Sequence, residues 1–136
     1  MALKSHERGK TLMSAKPNLI LSTCGTSLLT NGRSEEERRL VTKHSNVKQR
    51  NDLAPNIAQQ IDNLINNVRQ STENASLHDI ARMSAELNAL VQLYNNQPFP
   101  KQDAHILLCT DTWLGEEAAR IVEQYLRRQS MTSYVI

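Results

Sequence analysis

A chain of 136 residues, 39% hydrophobic and 4% aromatic, holds one domain at most, with a small aliphatic core. Its 16 basic and 14 acidic side chains leave a net charge of +2, too balanced for a protein that coats long nucleic acid but compatible with a small ligand carrying a few phosphates. No apolar run approaches the ~20 residues of a membrane span, and the basic N-terminus lacks the apolar stretch of a secretory signal.

In chain order, residues 1–16 are polar, charged and aperiodic, and read as a flexible arm; Met13, four residues before Pro17, makes a more natural beginning. Residues 17–136 form the domain. Leu19-Ile20-Leu21-Ser22-Thr23-Cys24 is a short apolar run ending at Gly25, which predicts a buried parallel strand. Asn31 to Ser34 is a turn. Ser34 then caps a helix from about Glu35, whose first turn of Glu35, Glu36 and Glu37 suits the helix dipole. Asn46 to Asp52 reads as a loop. Pro55 opens a second helix with Ile57, Ile61, Leu64, Ile65 and Val68 at helical spacing. Ser76 caps a third, with Leu77, Ile80, Ala81, Leu87, Leu90, Val91 and Tyr94 as its apolar stripe. Asn95 to Lys101, with Pro98 and Pro100, breaks the chain before a second strand, Ala104 to Cys109. Gly115 to Arg128 is a fourth helix, and Thr132 to Ile136 begins a third strand.

Strand, helices, strand, helix, strand predicts an α/β fold, a Rossmann-like parallel sheet with flanking helices. Three strands with apolar faces are few for such a sheet, so the expectation is a truncated piece of a longer chain rather than a sheet completed by a partner. Cys24 and Cys109 lie in apolar strand runs with no metal-ligand spacing. They read as small hydrophobes of a reduced, cytoplasmic protein, and neither a metal nor a cofactor is expected.

Both strand ends run into hydroxyl-rich corners, Gly25-Thr26-Ser27-Leu28 with Asn31, and Thr110-Asp111-Thr112 before Gly115. Ligands of open α/β sheets sit at such carboxyl ends, where backbone N–H groups gather. The N–H groups of Thr26, Ser27 and Leu28 are candidates to cradle a phosphate. Thr110 and Thr112 are candidates for ribose or a second phosphate, and Asp111 is expected to order the turn, since a bare carboxylate repels phosphate. Ser27 is the candidate for positioning and charge stabilisation, since no His–Asp pair is arranged to make it a nucleophile. Arg33, Lys43 and Lys48 are the cations within reach of the first corner. Local hydroxyl capping explains Thr110 to Thr112 about as well as ligand contact does. Trp113 either stacks on a base or covers the open end of the sheet, and Ser84 to Asn88 reads as helix packing. An unrelated dinucleotide-binding domain is disfavoured, because G-x-G-x-x-G is missing.

Gly25 to Asn31, Ser84-Ala85-Glu86-Leu87-Asn88, and Thr110-Asp111-Thr112 with the helix from Gly115 to Leu126 occur in the order seen in the CRISPR-associated Rossmann fold superfamily. Over Pro17 to Ile136 the chain resembles that superfamily's ring-nuclease-type branch. The resemblance implies a homodimer that binds cyclic oligoadenylate, most often cyclic tetra-adenylate, in type III CRISPR antiviral defence. It also implies either metal-independent linearisation of the ring, with Ser27 in the catalytic role, or sensing alone that switches an attached effector. The later strands and the basic residue that cutting members carry have no counterpart in this chain, which bears on catalysis more than on binding.

Overall fold

A computed structural model describes residues 17–129 and 131–136; the expected arm, residues 1–16, lies outside them. Strand β1 (Leu19–Cys24) is followed by a single-turn helix α1 (Ser27–Thr30), then α2 (Glu35–Lys43), a 3-10 turn (Arg50–Asp52) and the long helix α3 (Pro55–Glu73). Helices α4 (Leu77–Met83) and α5 (Ala85–Leu93) lead to β2 (Ala104–Cys109), α6 (Trp113–Arg128) and β3 (Thr132–Val135). The sheet is parallel in the order β1-β2-β3, so the α/β Rossmann-like expectation holds.

Local chemistry accounts for most boundaries. Ser34 accepts from the Glu37 N–H while the Glu37 carboxylate accepts from the Ser34 N–H, a reciprocal cap that satisfies two orphan donors of α2. Pro55 stands in the first turn of α3, where its missing N–H costs nothing. Asn95 and Asn96 take positive φ values of 54° and 63°, a conformation asparagine tolerates better than most residues, and the Asn96 N–H closes α5 on the Val91 carbonyl.

One expected helix is two. Ser84 takes an extended conformation, φ −138° and ψ 126°, and its hydroxyl accepts from the Leu87 N–H. Serine offers the backbone a hydrogen bond that competes with the helix ladder, and here it ends α4 and caps α5. The turn α1 was also not expected, since residues 27–30 are too few to show helical periodicity.

Helix α6 is the centre of the core. Leu114, Ala118, Ala119, Ile121, Val122, Tyr125 and Leu126 are all buried, in one cluster with Leu107 of β2 and Ile61, Leu64, Ile65 and Val68 of α3. Each fully buried aliphatic side chain contributes about 1.5–3 kcal/mol. At the amino end of the sheet the buried Asp103 accepts from the Asn18 N–H at 2.8 Å and the Tyr94 hydroxyl at 2.5 Å. The first bond ties the start of β2 to the start of β1, and the second ties it to the end of α5.

The two faces of the sheet differ. Ile20, Cys24, His105, Leu107, Ser133 and Val135 point under the helices and are buried or partly buried, while Leu19, Leu21, Thr23, Leu108, Thr132, Tyr134 and Ile136 alternate with them and are exposed. Parallel crossovers share one hand, and a strand order running in one direction lays both connections on the same face. Among the described residues the flanking helices therefore cover one side only, and β1, expected to be buried, is half exposed.

Candidate functional site

The register Cys24↔Cys109 ends β1 and β2 level with one another, so Gly25 and Thr110 leave the sheet side by side. Neighbouring strands lie about 4.8 Å apart, which places both corners within the span of one small anionic ligand.

In the first corner, Thr26 is the N-cap residue of α1, yet its side chain makes no capping bond. The φ of Gly25 is not in the left-handed region, and a Cβ there would meet nothing within 4 Å. The local turn therefore does not demand glycine; the position is simply open. Leu28 is in the core at 1% exposure, which leaves only its backbone to face a ligand. Asn31, exposed, ends α1 and donates its N–H to the Ser27 carbonyl.

Ser27 has a defined partner. Its Oγ accepts from the Ala85 N–H at 3.1 Å, the first residue of α5, so the break at Ser84 aims the amino end of that helix at the first corner. A hydroxyl that accepts one bond keeps its own proton to donate. Beneath it, Glu86 accepts from the Ser84 hydroxyl at 3.2 Å and from the Cys24 thiol at 3.9 Å. Burial, and secondarily the Glu86 charge, push the Cys24 thiol up to about 12.

The second corner is ordered by its threonines. Thr112 caps α6 by accepting from the Gly115 N–H at 3.1 Å, and the Thr110 and Thr112 hydroxyls are 2.9 Å apart. Gly115 is required here: a Cβ would lie 2.0 Å from Thr110 Oγ1 and 2.8 Å from Thr112 Oγ1. Asp111 does not order the turn as expected. Its side chain is 99% exposed and its carboxylate reaches Lys48 at 3.6 Å, an exposed pair of little energetic weight.

Of the three candidate cations, Lys48 is brought to the second corner, because the Trp113 N–H binds the Val47 carbonyl at 3.0 Å and holds that loop against it. Lys43 instead lines a groove between α2 and α3 with Leu40, Asn63 and Leu64, and Arg33 has a buried Nε without a hydrogen bond. Trp113 packs against the core and lines a cleft of about 360 Å³ with Arg50, Asn66 and Arg69. Among the described residues no group of three or more His, Cys, Asp or Glu is placed to hold a metal ion, and no helix is long and apolar enough to cross a membrane.

Sequence reasoning missed the contribution of α5 and the docking of Lys48. The first had a signal: Ser84 is followed two residues later by Glu86, the pattern of a helix start. The second had none, because Lys48 and Asp111 are joined only by the fold.

The fold is an α/β Rossmann-like domain in which two hydroxyl-rich corners lie side by side at the carboxyl ends of β1 and β2. The model of a family described as CRISPR-associated protein (Cas_APE2256) matches residues 81–136, which include α5, β2, the second corner, α6 and β3, and this supports a CRISPR association. Comparison with curated proteins finds no match.

Proposed function

We propose that the carboxyl edge of β1 and β2 binds a cyclic oligoadenylate, cyclic tetra-adenylate first, in type III CRISPR antiviral defence, and that a homodimer of this chain linearises it without a metal. The observation that carries this reading is the level ending of β1 and β2 at Cys24↔Cys109, which sets two hydroxyl-rich corners beside each other. The CRISPR-associated family match over residues 81–136 supports it. A four-phosphate ring is symmetric, so two copies related by a two-fold axis present the same donors to each half.

In the proposed reaction the ribose 2′-hydroxyl attacks the adjacent phosphorus and the 5′-oxygen leaves, giving a linear product with a 2′,3′-cyclic phosphate. In-line positioning supplies about 7–11 kcal/mol in favourable cases. The N–H groups of Ser27 and Leu28 and the free proton of the Ser27 hydroxyl are the donors for the non-bridging oxygens, where charge builds up in the transition state. Ser27 is suited to this because its oxygen is already anchored by the Ala85 N–H, so its proton is directed without reorganisation. In this reading Thr110 contacts a ribose or a second phosphate, and Lys48, which pairs with the exposed Asp111, exchanges that carboxylate for a phosphate.

A second reading is a sensor that binds and does not cut. It draws on the structural duties of the same hydroxyls: Ser27 holds Ala85, and Thr112 caps α6. Calorimetric titration with cyclic tetra-adenylate, followed by assay of the recovered ligand in EDTA, separates the readings. Binding with a linear product supports the ring nuclease, binding without product supports the sensor, and no binding by a folded chain overturns both.

A further inference from the structure

Cys24 and Cys109 have no duty in the reaction above. Both are free thiols, they are register partners on adjacent parallel strands, and both point to the helix-covered face. Neighbouring strands put their Cα atoms about 4.8 Å apart, inside the roughly 4.4–6.8 Å range of disulfides. Side chains paired in register project in the same direction, so the two Cβ vectors are parallel rather than divergent. The sulfurs are now turned elsewhere, Cys24 Sγ to Glu86 Oε1 at 3.9 Å and Cys109 Sγ to the Ile136 carbonyl at 3.5 Å. Both are weak partners, and rotation about each Cα–Cβ bond releases them.

We propose that Cys24 and Cys109 are a dithiol redox pair that a low-molecular-weight disulfide of the glutathione type converts to a reversible cross-strand disulfide, fastening together the two corners at the carboxyl ends of β1 and β2.

The asymmetry of the pair sets the order of events. Cys24 is buried at 2% exposure beside the Glu86 carboxylate, while Cys109 is half-buried. Cys109, as thiolate, attacks one sulfur of oxidised glutathione; that S–S bond breaks, a mixed disulfide forms on Cys109, and one glutathione thiolate leaves. The Cys24 thiol then attacks the Cys109 sulfur, its proton passing to the second glutathione, which is expelled as the S–S bond of the mixed disulfide breaks. The two protein thiols are oxidised by two electrons, one glutathione disulfide is reduced to two thiols, and the two protein protons pass to them.

The disulfide does not depend on what the edge binds. Its effect on ligand affinity rests on the cyclic-oligoadenylate reading, and the two are read separately. The full chain is equilibrated in glutathione buffers of increasing oxidised fraction, quenched by acid, and analysed by intact mass and peptide mapping. The expected product has lost two hydrogens, carries a Cys24–Cys109 cross-link, and returns to the dithiol in dithiothreitol. Cys24→Ser is expected to stop at a glutathione adduct on Cys109, and Cys109→Ser to remain unmodified. Two free thiols throughout, a lasting adduct on the unmutated chain, or cross-linking between chains would each overturn the proposal, and the unmutated chain alone suffices to decide it if a variant does not fold. Calorimetry with cyclic tetra-adenylate on both forms then reports the effect on the edge; loss of binding in both forms counts against the ligand reading alone.

Discussion

Gly25 and Gly115 close the same edge of the sheet, and the space around them is opposite. A methyl group at Gly115 falls 2.0 Å from the Thr110 hydroxyl, and both threonines are fixed, one as a helix cap and the other as its hydrogen-bond partner. Gly115→Ala is expected to cost about 1–3 kcal/mol, the usual range for overpacking, read as a lower midpoint in urea. Gly25 has nothing within 4 Å of an added Cβ, so Gly25→Ala is expected to leave that midpoint unchanged; a weakened affinity for cyclic tetra-adenylate in this variant would then report close approach of the ligand. At the other extreme of burial is His105, 1% exposed on the helix-covered face, with Nε2 at 2.6 Å from the Ser22 hydroxyl and no hydrogen bond at Nδ1. Desolvation by burial lowers its pKa below the ordinary 6.5. The unfolded chain therefore binds this proton more readily than the folded one. The neutral imidazole leaves stability intact above pH about 6.5, and stability is lost as pH falls below that value toward the folded pKa. Urea midpoints between pH 7.5 and 5 are expected to decline in the parent and to decline less in His105→Leu.

Among the elements, the break at Ser84 decides what the first corner is made of. A continuous helix from Leu77 to Tyr94 would carry its amino end past the sheet, whereas the extended Ser84 restarts it with Ala85 against Ser27. Ser84→Ala removes the cap on Leu87 and one donor to Glu86, and is expected to cost about 1 kcal/mol. Ser27→Ala orphans the Ala85 N–H at a similar cost of about 1 kcal/mol. Ring cleavage distinguishes the two variants: if Ser27 positions the phosphate, its loss slows the single-turnover rate on bound cyclic tetra-adenylate by about 10²-fold or more, while Ser84→Ala leaves that rate within a few-fold of the parent. Equal rates in both variants would reduce Ser27 to a helix anchor. The same break marks the boundary of what the sequence discloses. β1, β2, β3, α2, α3 and α6 are legible because apolar period, Pro55 and the Ser34 cap all agree. The division at Ser84 is masked: the apolar stripe from Leu77 to Tyr94 continues through it in phase and overrides the helix-start signal of Ser84 and Glu86, although in the fold a single side-chain hydrogen bond outweighs that stripe. At the site, the two corners could be read one at a time. Their juxtaposition, Lys48 against Asp111 and Cys24 beside Cys109, follows from strand register, which no local pattern encodes.

For the molecule as a whole, the asymmetry of the sheet is the property with the largest consequence. Leu19, Leu21, Leu108, Tyr134 and Ile136 are 64%, 61%, 40%, 52% and 69% exposed on one face, an apolar patch of the kind that associates. The opposite face carries Leu107 at 0% exposure under α6, so the same residue type in one sheet has two different values. Exposed leucines add nothing to folding that threonine, a good strand former, would not also supply. The double variant Leu19→Thr, Leu21→Thr is therefore expected to unfold within about 0.5 kcal/mol of the parent. It should also scatter less light at equal concentration, because it has lost area available for self-association. Leu107→Thr, one strand away and facing the helices, is expected to cost on the order of 2–5 kcal/mol, as large-to-small core changes do, with a hydroxyl left in an apolar site. If the double variant were instead as damaged as Leu107→Thr, the Leu19 face would be packed in solution and the one-sided arrangement of helices would be wrong. If it unfolds like the parent and scatters less, the stability of the domain resides in the layer between the sheet and α6.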